Sequence, residues 1–111
     1  MSKLFILLVS GDPRVLTDVV NLYVRNAKNK GWMEKIRIIL WGPSEKVVVT
    51  QVDLKSIVMD LVTQGFEIWA CQQCADDYNV TDKLEALGVK VLEVGAPISQ
   101  MINEGWQHLS F

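Results

Sequence analysis

The chain has 111 residues, half of them hydrophobic and 22% charged, with a formal net charge of −2. That length supports a single domain, 1–111, with one modest core, and the composition excludes a disordered or low-complexity chain. There is no basic surplus to draw the chain to nucleic acid or anionic lipid, so neither is expected as a partner.

Residues 3–9 form a continuous apolar run, as in a strand buried on both faces. One lysine before this run gives it a superficial likeness to a secretory leader. It meets Gly11-Asp12-Pro13 with no small-residue cleavage site, so a first strand is the better reading. Asp12-Pro13 then supplies an N-cap and a proline at the first helical position. Leu16, Val19, Val20, Tyr23, Val24 and Ala27 follow at helical spacing, and Gly31 stops that helix.

Residues 35–41 read as a second strand, ended by Gly42-Pro43-Ser44. Val47-Val48-Val49 fits either a short strand or a turn leading into the next helix. Thr50 and Asp53 resemble a capping box for that helix, with Val49 able to staple onto Leu54. Its stripe is Leu54, Ile57, Val58, Leu61 and Val62, and Gly65 is its stop. Residues 66–70 are a third strand ending at Cys71, followed by a short helical turn. Thr81 caps a short helix stopped by Gly88, and residues 89–94 are a fourth strand. Gly95-Ala96-Pro97 opens a small helix, and residues 106–111 read as a fifth strand.

About five strands alternating with helices predict an α/β fold: a three-layer Rossmann- or flavodoxin-like sandwich, with a mostly parallel sheet covered by helices on both faces. Ligands in such folds bind at the carboxyl ends of the strands. Four segments fall there: Ser10, Gly11 and Asp12; Trp41, Gly42, Pro43 and Ser44; Cys71 to Cys74; and Gly95, Ala96 and Pro97.

Cys71-Gln72-Gln73-Cys74 is the sharpest of these. A thiol at a strand-to-helix junction meets free backbone N–H groups, which favour the nucleophilic thiolate. Buried cysteines elsewhere are simply small hydrophobes. Asp76 and Asp77 follow closely, and their charge opposes thiolate formation unless solvent screens it. Zinc is disfavoured, because one C-x-x-C supplies two ligands where a structural site wants four. The single histidine, His108, reads as a packed residue of the last strand. No metal and no cofactor is expected: neither G-x-G-x-x-G nor G-x-x-x-x-G-K-S/T occurs. Two cysteines are too few for a disulfide scaffold, and no apolar stretch reaches the ~20 residues of a membrane helix, so the expectation is a cytoplasmic protein with reduced thiols. The tryptophans at 41, 69 and 106 and the Val47–Val49 run stand near predicted element ends, where they could line subunit contacts or a pocket around Cys71.

Several segments together resemble the DsrE/DsrF-like family, which includes the TusD-type sulfur-relay proteins. They are the first strand running into Gly11-Asp12, the segment Leu40-Trp41-Gly42-Pro43-Ser44, Cys71 at a strand end with Val80 nine residues on, and the tail Gly95-Ala96-Pro97-Ile98 through Glu104-Gly105-Trp106 to Phe111. The resemblance implies a five-stranded Rossmann-like domain that assembles as a homotrimer or hexamer. It also implies a persulfide carried on the cysteine ending the third strand, here Cys71, and exchanged with sulfur donor and acceptor proteins. Cys74 could then resolve or position the persulfide. Two alternatives remain open at this point: a non-catalytic module binding a small ligand or protein, and a thiol–disulfide oxidoreductase using Cys71 and Cys74.

Overall fold

A computed structural model describes residues 2–111. Five strands form one sheet in the order β4-β3-β2-β1-β5. They are β1 (Lys3–Leu8), β2 (Lys35–Leu40), β3 (Glu67–Cys71), β4 (Lys90–Leu92) and β5 (Gln107–Ser110). Every pairing is parallel, so each connection must cross over the sheet. The α/β sandwich expected from the alternation of elements is therefore present, with a sheet that is wholly parallel.

Between β1 and β2 runs a π-helical segment, Val15–Val20, continuing as α1 (Asn21–Asn29). The π segment closes with a bond from the Asn21 N–H to the Leu16 carbonyl, five residues back. Such bonding winds more residues into each turn, so the buried face steps from Leu16 to Val20 to Val24. Val19, expected on the buried stripe, is rotated out and 42% exposed. Asp12 caps this helix as expected, accepting the Arg14 N–H at 3.0 Å.

Two helices join β2 to β3, α2 (Pro43–Thr50) and α3 (Val52–Thr63). The first was not foreseen: Val47–Val49 is neither strand nor turn but the last half of α2, with Val48 and Val49 buried. The expected capping role of Thr50 falls away for the same reason. Its hydroxyl donates back to the Lys46 and Val47 carbonyls, which closes α2, and Gln51 is the N-cap of α3. The sequence Gly42-Pro43-Ser44-Glu45 holds the start signals of α2, with proline early in the helix and glutamate at its third position. Further on lie α4 (Gln72–Tyr78), α5 (Thr81–Ala86) and α6 (Gly95–Asn103). Thr81, expected to cap α5, instead donates to Asp76 at 3.0 Å.

The two faces of the sheet are covered unequally. Alternate strand residues (Leu4, Ile6 and Leu8 of β1, Ile38 and Leu40 of β2, Ile68 and Ala70 of β3) meet the π segment and helices α1 to α5 in one large core. The opposite residues, Phe5, Ile39 and Cys71, meet Val94 and α6 through Ile98 and Met101 in a smaller one. Chain order explains this. Connections running β1-β2-β3-β4 step across the sheet in one direction, and only the connection to β5 returns. Trp41, Trp69 and Trp106 are half-buried on the thinly covered face. Arg37 lies there too, with Trp69 4.1 Å and Trp106 5.0 Å from its guanidinium, while that group grips the Glu67 carboxylate across the β2–β3 pair.

Candidate functional site

Cys71 is the last residue of β3 and the N-cap of α4. Strand alternation sends its side chain to the thin face, where it is 7% exposed and packs in the cluster with Val94 and Ile98. Cys74 lies one helical turn on and is half-buried against the same cluster. Both are free thiols. Asp76 and Asp77 are exposed and tied by the side-chain amides of Gln72 and Gln73, each at 2.9 Å, so their charge faces solvent.

A third group meets the thiols that the sequence reading did not identify. Glu45, in the first turn of α2, is fully buried, and one carboxylate oxygen with the two sulfurs forms a set within 4.8 Å of one another. Local chemistry turns Glu45 inward. The neighbouring Ser44 is also fully buried; its hydroxyl donates to the Leu8 carbonyl and accepts the Trp41 N–H, and its own N–H donates to the Val9 carbonyl. Those bonds fasten the start of α2 onto the carboxyl ends of β1 and β2. Glu45 then reaches back to the Gly42 N–H through Oε2 at 3.2 Å, completing half of a capping box. Gly42 itself sits at φ 77° and ψ −134°, a conformation favouring glycine.

Capping accounts for one oxygen only. Oε1 is buried with no hydrogen-bond partner, an uncommon state for a native polar atom. Burial pushes the Glu45 carboxyl up to about 7, and the Gly42 backbone, the Cys74 thiol and the Cys71 backbone offset this in part. Burial, the Cys71 side chain and the Glu45 charge raise the Cys74 thiol to about 11, so it stays protonated at neutral pH.

The remaining residues expected at the site are placed unevenly. Trp41 packs in the same small cluster as the thiols. Gly42 holds Glu45, and Pro43 opens α2. Gly11 lies against Pro43, since a Cβ there would stand 3.2 Å from the Pro43 Cβ, and both border a shallow recess with Lys46 and Tyr78. Asp12 is exposed and engaged with Arg14, whose guanidinium holds its carboxyl below the usual range. Gly95, Ala96 and Pro97 open α6, which belongs to the cluster around the thiols through Ile98 and Met101, together with the preceding Val94. His108 stacks on Phe5 at 5.4 Å, on a strand separated from β3 by β1 and β2. A further recess, bordered by Lys28, Phe66 and Glu67, lies at the amino ends of the strands and away from the thiols. No helix among the described residues is long and apolar enough to cross a membrane.

The model of the DsrE/DsrF-like family matches residues 6–111. Among solved structures, a conserved protein of unknown function from Bacteroides thetaiotaomicron, BT1422, is 31% identical, with a TM-score of 0.94 over 99% of this chain and 95% of that one. MTH1491, a protein of unknown function from Methanobacterium thermoautotrophicum, is 20% identical with a TM-score of 0.80, both chains covered in full. The ychN protein from E. coli is 14% identical with a TM-score of 0.76, again over the whole of both chains. The last two likenesses speak to the fold alone. No curated protein matches.

Proposed function

The chain belongs to the DsrE/DsrF-like family, and from that premise we propose that it is a sulfur-transfer protein carrying a persulfide on Cys71. The observation that carries this reading is the placement of two free thiols at the carboxyl edge of the sheet, Cys71 at the end of β3 and Cys74 one turn later. In the proposed cycle the Cys71 thiolate attacks the terminal sulfur of a donor persulfide, R–S–SH. A new S–S bond forms on Cys71, the donor's S–S bond breaks, and the donor leaves as a thiolate that takes a proton from solvent. An acceptor thiolate then attacks the outer sulfur and regenerates Cys71. In the competing branch the Cys74 sulfur, once deprotonated, attacks the inner sulfur, leaving a Cys71–Cys74 disulfide and expelling HS⁻. An external dithiol would then reopen the disulfide.

Mass spectrometry of the reduced protein after exposure to a persulfide donor tests this. The expected product is a gain of one sulfur on the Cys71 peptide, retained in Cys74→Ser and absent in Cys71→Ser. An unmodified Cys71 alongside an alkylatable Cys71 thiol would overturn the reading. We further propose that the protein works as a homo-oligomer closing over the thinly covered sheet face. In support, Trp41, Trp69 and Trp106 are only half-buried on that face, and Ile102 of α6, the one helix that covers it, is 51% exposed. A monomeric mass by light scattering at working concentration would refute that assembly.

A further inference from the structure

We infer that Glu45, Cys71 and Cys74 form a site for a thiophilic divalent cation, with Zn²⁺ as the ion that fits the donor set. Two sulfurs and a carboxylate oxygen already converge within 4.8 Å of one another, and no other group of three such donors occurs among the described residues. On one tetrahedral ion, with bonds of about 2.3 Å to sulfur and about 2.0 Å to oxygen, neighbouring donors lie roughly 3.3–3.8 Å apart. From the present 4.8 Å limit, an approach of about 1 Å by side-chain rotation would complete that geometry. The second, independent observation is that Glu45, whose carboxylate belongs to this set, is fully buried with its Oε1 lacking any hydrogen-bond partner. Oε2 is occupied by the Gly42 N–H, so Oε1 is the atom free to bind.

The chemistry of the set selects the ion. Two thiolates favour zinc over magnesium or calcium, which take oxygen donors, and the carboxylate disfavours a purely sulfur-seeking ion such as Cu⁺. No lysine, arginine or histidine acts on Glu45 or Cys74, so once metal binding ionises the donors, the cation itself supplies the balancing charge. Three protein donors leave one position of a tetrahedron for water or an incoming ligand, the pattern of open zinc sites rather than closed structural ones. Binding forms two Zn–S bonds and one Zn–O bond. Each thiol releases its proton to solvent, as does the carboxyl where protonated, and nothing is oxidised or reduced.

The inference goes beyond sulfur transfer and is tested apart from it. The reduced full chain is titrated anaerobically with Co²⁺. The expected result is thiolate-to-cobalt charge-transfer absorption saturating at about one ion per chain and bleached by Zn²⁺. Cys71→Ser and Cys74→Ser should each cut that absorption and weaken binding at least about tenfold, and Glu45→Gln should weaken it by a similar factor while keeping the band. X-ray absorption of the zinc-loaded wild type needs no variant: two sulfurs with oxygen donors support the site, and four sulfurs mean two chains sharing an ion and overturn it. Absence of the charge-transfer band, or unchanged affinity in a correctly folded Glu45→Gln protein, also overturns it. Persulfide formation is read in metal-free buffer, so either proposal can fail while the other stands.

Discussion

Glu45 accepts the Gly42 N–H through Oε2 at 3.2 Å while its Oε1 lies buried without a partner. One carboxylate thus serves two purposes. One oxygen caps the start of a helix, as glutamate at this position does in many proteins, and the same carboxylate lies within reach of two thiols. A capping glutamate on the surface would leave its second oxygen in water. Here the bonds of Ser44 to the ends of β1 and β2 remove that option.

Stability of the metal-free protein should fall between about pH 4.5 and 7 because of Glu45. Its carboxyl is raised from the ordinary value of 4.5 to about 7 in the folded state. Below pH 4.5 both states hold the proton and nothing is lost. As pH rises, the unfolded chain releases it first, so the folded state is progressively disfavoured, and the full difference of about 3 kcal/mol is reached above pH 7. Urea midpoints at several pH values, wild type against Glu45→Gln, isolate this contribution. A constant difference between the two proteins would contradict the assignment.

Cys74 should resist alkylation across the neutral range. Burial comes first among the causes that raise it to about 11, with Cys71 and Glu45 adding to it. Peptide-resolved iodoacetamide labelling should show a Cys74 rate still climbing above pH 9, since the thiolate is the reactive species. A plateau near pH 8 would place the thiol in a different environment.

Gly42→Ala should destabilise the protein by about 1–3 kcal/mol through backbone strain alone. The space is there, because the nearest atom to an added Cβ is a Val9 methyl at 3.9 Å. The cost comes from forcing a side chain onto φ 77° and ψ −134°. Because the same residue donates to Glu45, the variant should also alter the pH dependence described above. Chemical denaturation of the variant beside Gly42→Ser, which meets the same strain, checks that backbone rather than packing is responsible.

Arg37→Lys should cost about 1–2 kcal/mol despite keeping the charge. The guanidinium is planar, stacks 4.1 Å from the Trp69 ring centroid and donates to both Glu67 oxygens, at 3.1 and 3.0 Å. An ammonium can do neither as well. Trp fluorescence should shift with the loss of stacking, and an unchanged denaturation midpoint would show that the pair carries little stability.

Much of the framework was readable from local pattern. The strand starting at Lys3, the proline-started helix after Asp12, the strand ending at Cys71 and the glycine stop at Gly65 all follow from residues adjacent in sequence. Helix α2 was missed because three consecutive valines mimic a strand, although Gly42-Pro43-Ser44-Glu45 held its start signal. Val19 was misplaced because periodicity assumes α winding, and the π segment winds differently.

Sequence alone determined that this chain alternates strands and helices and that Cys71 sits where a strand gives way to a helix, because caps and hydrophobic periods are properties of neighbours. The tertiary structure decided which face of the sheet is thinly covered and that Glu45 stands beside Cys71 and Cys74. Those outcomes depend on strand order and on how the start of α2 is fastened to β1 and β2. Pairings between distant segments decide both, and no local pattern encodes them.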